Sequence, residues 1–158
     1  MKLTSTTGAL LFSLVLVGCA GTSVQGGGSY KPTPGQKFVF NISDNARMSP
    51  EGQGIFETRL ANQLSGSGQL ASRTDKSART IEVVVENYYM RHGAARALVG
   101  VMAGADNMRS SVIVKEAGTG TEVGRFRIES TNPTAMGTSR GMIEDHADKI
   151  VIYLQSGQ

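Results

Sequence analysis

The position of the one cysteine constrains this chain more than any other feature. Cys19 stands just after a charge-free run of ten residues, Gly8–Val17, which itself follows a single early cation, Lys2. A helix needs about 20 apolar residues to cross a bilayer. The run is therefore too short for a stable span and has the length of a signal-peptide core. Whatever folds lies beyond it, with no second cysteine for an intramolecular disulfide or a multi-cysteine zinc or iron–sulfur site. His92 and His146 are the only histidines, too few for a His-rich metal centre, so no metal or other cofactor is expected. A length of 158 residues suits one ordinary domain. With 39% hydrophobic and 18% charged residues, the chain is too apolar for disorder and too polar for a polytopic membrane protein.

The tetrad Leu16-Val17-Gly18-Cys19 resembles the lipobox of bacterial lipoproteins, an aliphatic residue and two small or aliphatic residues before Cys. That resemblance implies a signal peptide over residues 1–18, cleavage before Cys19, a diacylglycerol on its sulfur and an acyl group, such as palmitate, on the new amine. A thiol is the one good nucleophile for such a thioether. Two or three acyl chains, at about 0.8 kcal/mol per buried methylene, anchor a protein almost permanently. Ala20, where an Asp signals inner-membrane retention in enteric bacteria, leans towards the outer membrane. Cleavage would remove Lys2 and leave 15 basic against 13 acidic side chains. With no dense Lys/Arg cluster among aromatics, nucleic-acid binding is not expected.

Residues 19–36 read as a flexible tether: small, polar and glycine-rich as far as Ser29, then stiffened by Pro32 and Pro34. Residues 37–158 read as a single domain of the α/β (α+β) type, about four strands in a mixed sheet with two helices on one face. Phe38, Phe40 and Ile42 alternate along a first strand. Ser49 has the character of an N-cap before Pro50. Phe56, Leu60 and Leu64 then form a helical stripe ended near Gly66 and Gly68. Thr80–Met90 is the strongest strand, with Ile81, Val83 and Val85 on one face and Val84, Tyr88 and Met90 on the other. Apolar residues on both faces place it centrally. Two strands near 109–116 and 122–129 flank a hairpin turn at Ala117–Thr121. A closing helix over 139–154 buries Ile143, Ala147, Ile150 and Leu154.

The segment Gly93–Ala105 stands apart. Its uncharged part, Ala97–Ala105, is nine residues, too short for a span. Gly100 and Gly104 lack side chains and so allow close approach of another backbone or a bulky group. Arg96, Gly100 and Gly104 are therefore candidates for a contact, within the domain or with another chain.

No catalytic set converges. Gly137-Thr138-Ser139-Arg140-Gly141 matches the nucleophile-elbow pattern but follows a loop, not a buried strand, and Asp145 and His146 are adjacent on one helix. Gly118–Gly124 misses dinucleotide spacing and sits between strands. Glu144, His146 and Asp148 read as a solvated helix face and His92 as a surface residue. An enzyme is not expected.

The lipobox with a small α/β domain, together with Arg96-Ala97-Leu98-Val99-Gly100-Val101-Met102-Ala103-Gly104 leading into Ser111-Val112-Ile113-Val114 and the Thr119-Gly120 turn, resembles an uncharacterised family of bacterial envelope lipoproteins. The resemblance implies a fold related to the curli-secretion lipoprotein and to the lipoprotein activators of cell-wall synthases, which act by binding partners. It points to a periplasm-facing accessory module, lipid-anchored to the outer membrane through Cys19, with an envelope protein as partner. The alternative is a self-assembling envelope component that uses residues 93–105 for oligomer or membrane contact.

Overall fold

A computed structural model describes residues 21–26, 30–91, 104–133 and 138–157. Its elements, in chain order, are β1 (Gly21–Gln25), β2 (Phe38–Asp44), α1 (Pro50–Gly66), β3 (Arg79–Tyr89), β4 (Asp106–Lys115), β5 (Glu122–Asn132) and α2 (Ser139–Ser156). The sheet has five strands in the order β1-β5-β4-β3-β2. Only β2 and β3 run parallel; the other neighbours are antiparallel. The expected mixed sheet with two helices is present, with one strand more.

That extra strand corrects the reading of residues 19–36 as a flexible tether. Gly21–Gln25 pairs with Arg127–Thr131 along the edge of β5. The Thr22 hydroxyl lies 2.8 Å from that of Ser130, and Val24 packs against the core. Further on, Tyr30 is buried and donates its hydroxyl to the carbonyl of Leu154 at 3.0 Å. A buried phenol of this kind keeps a partner because an unpaired hydroxyl in the interior is costly.

The helices form as their sequences direct. Ser49 caps α1 by accepting from the Gly52 amide, with Pro50 in the first turn, and Thr138 does the same for α2 through Gly141. Phe56, Leu60 and Leu64 from α1 meet Ile143, Ala147, Ile150 and Leu154 from α2 over Ile81, Val83, Val85, Val112, Val114, Phe126 and Ile128 of the sheet. Arg59 of α1 clamps Asp148 of α2 with two parallel bonds of 2.6 Å.

The strand over 79–89 is interior, between β2 and β4, but β4 is the middle of the sheet. Its expected face assignment also fails beyond Val85. A bulge between Val85 and Asn87 inserts one residue and exchanges the faces of everything after it. Tyr88 therefore pairs with the buried Met108 and reaches α1, its hydroxyl 3.3 Å from that of Ser49.

Candidate functional site

The antiparallel registers align Gly21, Thr131, Asn107 and Tyr89 in one row across four strands. The chain leaves the sheet just past this row at Arg91 and returns at Gly104, so the two ends of the 92–103 connection meet here. A buried ion pair joins them. Asp106 Oδ1 accepts from the Arg91 backbone amide at 2.8 Å and from Arg91 Nε at 3.0 Å. Arg91 Nη2 donates to the Asn132 carbonyl at 2.9 Å. Both side chains are at most 1% exposed. A charge so placed is tolerable only when paired and hydrogen-bonded throughout. The clasp fixes where the connection begins and ends.

Of the contact residues expected from sequence, Cys19, Arg96 and Gly100 lie outside the described residues, as does His92. Gly104 is described. Its φ is +83°, and an added Cβ would meet nothing within 4 Å among the described residues. Glycine is needed there for a left-handed backbone. Among the described residues, Gly124 makes a close approach to backbone, where a Cβ would stand 2.9 Å from Tyr30 Cα.

His146 is corrected from a solvated helix face to the interior. It is fully buried, with Nε2 2.7 Å from Ser110 Oγ and Nδ1 2.8 Å from Ser130 Oγ. Ser130 in turn meets Thr22, so one polar chain links α2, β4, β5 and β1. Burial pushes the imidazole down to about 3, which keeps it neutral. A neutral ring has one donor and one acceptor nitrogen, and hydroxyls can satisfy either. Its ring also meets Phe56 edge-on, 5.8 Å between centroids. The Ser110–His146 spacing is that of an activated hydroxyl, but both side chains are sealed inside the core. Glu144 pairs with Arg140 and Asp148 with Arg59. Ser139 opens α2, as expected of a helix start. Among the described residues no three His, Cys, Asp or Glu gather as a metal would need.

The sheet face away from the helices is polar. Lys115 bonds Glu82 at 2.6 Å, Arg127 lies 3.4 Å from Glu86, Arg109 3.6 Å from Glu129 and Arg125 2.8 Å from Glu122. Ser111 also donates to Glu86. These pairs are partly exposed, and such pairs contribute about 0–1 kcal/mol each. Cations and carboxylates balance, so the face exerts no strong single-sign field. At its Gly21 end lies a shallow depression of about 290 Å³ between Asn87, Asn107, Arg109, Glu129 and Thr131. No helix among the described residues is long and apolar enough to cross a membrane.

The fold has solved counterparts. A methionine variant of PelC from Paraburkholderia phytofirmans, a dodecamer, superposes with a TM-score of 0.61 at 16% identity, over 89% of this chain and 100% of that one. The PelC dodecamer in a second crystal form gives 0.59 at 14% identity over the same shares. A protein from Xanthomonas campestris of the family DUF330 is more distant, with a TM-score of 0.49 at 13% identity over 78% of this chain and 86% of that one. No curated protein matches the sequence. The model of the family described as a domain of unknown function, DUF4410, matches residues 42–138, from β2 through the cap of α2, and because that is more than half of the chain, the protein belongs to the DUF4410 family.

Proposed function

We propose that the protein is a lipid-anchored, periplasm-facing lipoprotein of the bacterial outer membrane and acts as a non-catalytic binding or accessory module. The observation that carries this reading is Leu16-Val17-Gly18-Cys19 behind a short apolar run, followed at once by a domain with the PelC fold. The non-catalytic part is supported by the chemistry of the surface. Among the described residues, the serines that meet a histidine, Ser110 and Ser130, are sealed with it in the core, and the depression on the open sheet face is shallow and lined mostly by amides and paired charges. Such a face suits a protein partner that exchanges ion pairs better than an anionic polymer.

A second reading, self-assembly, is favoured by one finding: two solved structures that this chain resembles are PelC dodecamers. The two readings part in one experiment. Protein is crosslinked in the native envelope in one sample, and in another is extracted from membranes with mild detergent and weighed by native mass spectrometry, with Cys19→Ser as the unanchored control. The accessory reading expects a crosslink to a different envelope protein and a monomeric mass. A homo-oligomeric mass supports assembly instead. A Cys19→Ser protein that stays in the membrane fraction contradicts the lipid anchor and with it the accessory reading.

A further inference from the structure

We propose that the end of the domain marked by the row Gly21, Thr131, Asn107 and Tyr89 rests on the lipid surface, close against it and not on a leash. The inference builds on the reading of Cys19 as the acylated residue and adds an orientation. Gly21 is already paired in the sheet, and Cys19 lies two residues before it. Two extended residues span at most about 7 Å. The eleven residues of β3 put the opposite end of the sheet about 35 Å away. An acyl group on Cys19 can therefore hold only the Gly21 end near the bilayer.

The residues gathered there suit that position. Tyr89 is the last residue of β3 and is 49% exposed; a ring with an apolar body and a polar tip belongs at the level of lipid headgroups. Because β2 is parallel to β3 and β5 ends in this row, both α1 and α2 begin here. Each therefore turns the partly positive end of its dipole towards this surface. Arg47 stands at the tip of the β2–α1 turn with φ of 58°, on a loop held by the Asp44 carboxylate through the amides of Ala46 and Met48. Arg140 and Glu144, which pair at 3.4 Å, stand at the start of α2 with the exposed Asp145, and Glu51 stands at the start of α1.

The sequence contains no tryptophan, so one introduced tryptophan reports its own surroundings. Tyr89→Trp marks the proposed contact end. Gln155→Trp, at an exposed position near the C-terminal end of α2, marks the opposite end. Each protein is purified from membranes and reconstituted in phosphatidylcholine–phosphatidylglycerol vesicles that contain a phosphatidylcholine with a nitroxide on its headgroup. The orientation predicts loss of most emission from the Tyr89→Trp protein and little from the Gln155→Trp protein. Equal quenching, or stronger quenching of Gln155→Trp, overturns it. Intact mass of the same samples separates the two levels of the argument. Acylated protein without quenching at position 89 overturns the orientation alone, whereas absence of an acyl group on Cys19 removes the functional reading and the orientation with it.

Discussion

Asp106 and His146 carry the largest single-residue consequences. Asp106→Asn keeps the shape of the Arg91 clasp but leaves a buried guanidinium without its counter-charge, a change that costs about 3–5 kcal/mol. Thermal unfolding of the soluble Cys19→Ser protein measures it, and a melting temperature equal to that of the parent would show the pair to be dispensable. His146 gives a pH dependence of definite sign. The free imidazole titrates near 6.5, whereas the buried one is held down to about 3 by desolvation. The unfolded chain therefore takes up the proton first as pH falls, and the stability contribution present above pH 6.5 is lost on the way to pH 3. Between pH 7 and pH 5 the loss is about 2 kcal/mol. Urea midpoints at those two values should differ accordingly, and His146→Gln should flatten the difference. The position of His146 was open to inference, because it falls three residues after Ile143 and four before Ile150, on the buried stripe. Grouping it with the acidic Glu144 and Asp148 drew it to the wrong face. Nothing local in the sequence joins Arg91 to Asp106, which meet only because β3 and β4 are partners.

The periodic elements were legible and the edge strand was not. β3, β4, β5 and both helices carry enough alternation or four-residue spacing for their buried positions to be named beforehand: Val83, Val112, Phe126, Ile128, Leu60 and Ile150 are all in the core. β1 has only Thr22 and Val24 facing inward between small polar residues, too little hydrophobic signal to announce a strand. What secures it is non-local: the backbone of β5, the Ser130 hydroxyl and the docking of Tyr30 beyond it. The bulge after Val85 was equally invisible, since one inserted residue leaves no compositional trace. The Tyr30 docking rests on Gly124, which lets the ring and backbone of Tyr30 lie directly against β5. In Gly124→Ala the new methyl would stand 2.6 Å from Tyr30 Cβ and force the two segments apart, an overpacking cost of about 1–3 kcal/mol. Hydrogen exchange of β1 and of residues near Tyr30 should accelerate in that variant more than exchange in β3. Uniform acceleration would mean that the N-terminal segment is no separate unit.

For the molecule as a whole, the structure makes residues 21–25 of the presumed leash a strand of the sheet, so a lipid on Cys19 would sit close to the fold. Ala20 alone stands between the expected lipidation motif and the first paired residue, Gly21, and the family match begins at residue 42, after this N-terminal segment. Since Cys19 belongs to no disulfide and precedes β1, Cys19→Ser should leave the melting temperature of the domain unchanged while releasing it from the membrane. The central claim is that lipid on Cys19 holds this domain in the envelope. The direct measurement is the intact mass of the wild-type protein purified from membranes, followed by fragmentation of its N-terminal peptide. The account predicts a chain that begins at Cys19 and carries diacylglycerol and acyl mass on that residue; a membrane-bound protein with residues 1–18 still attached, or with an unmodified Cys19, would contradict it.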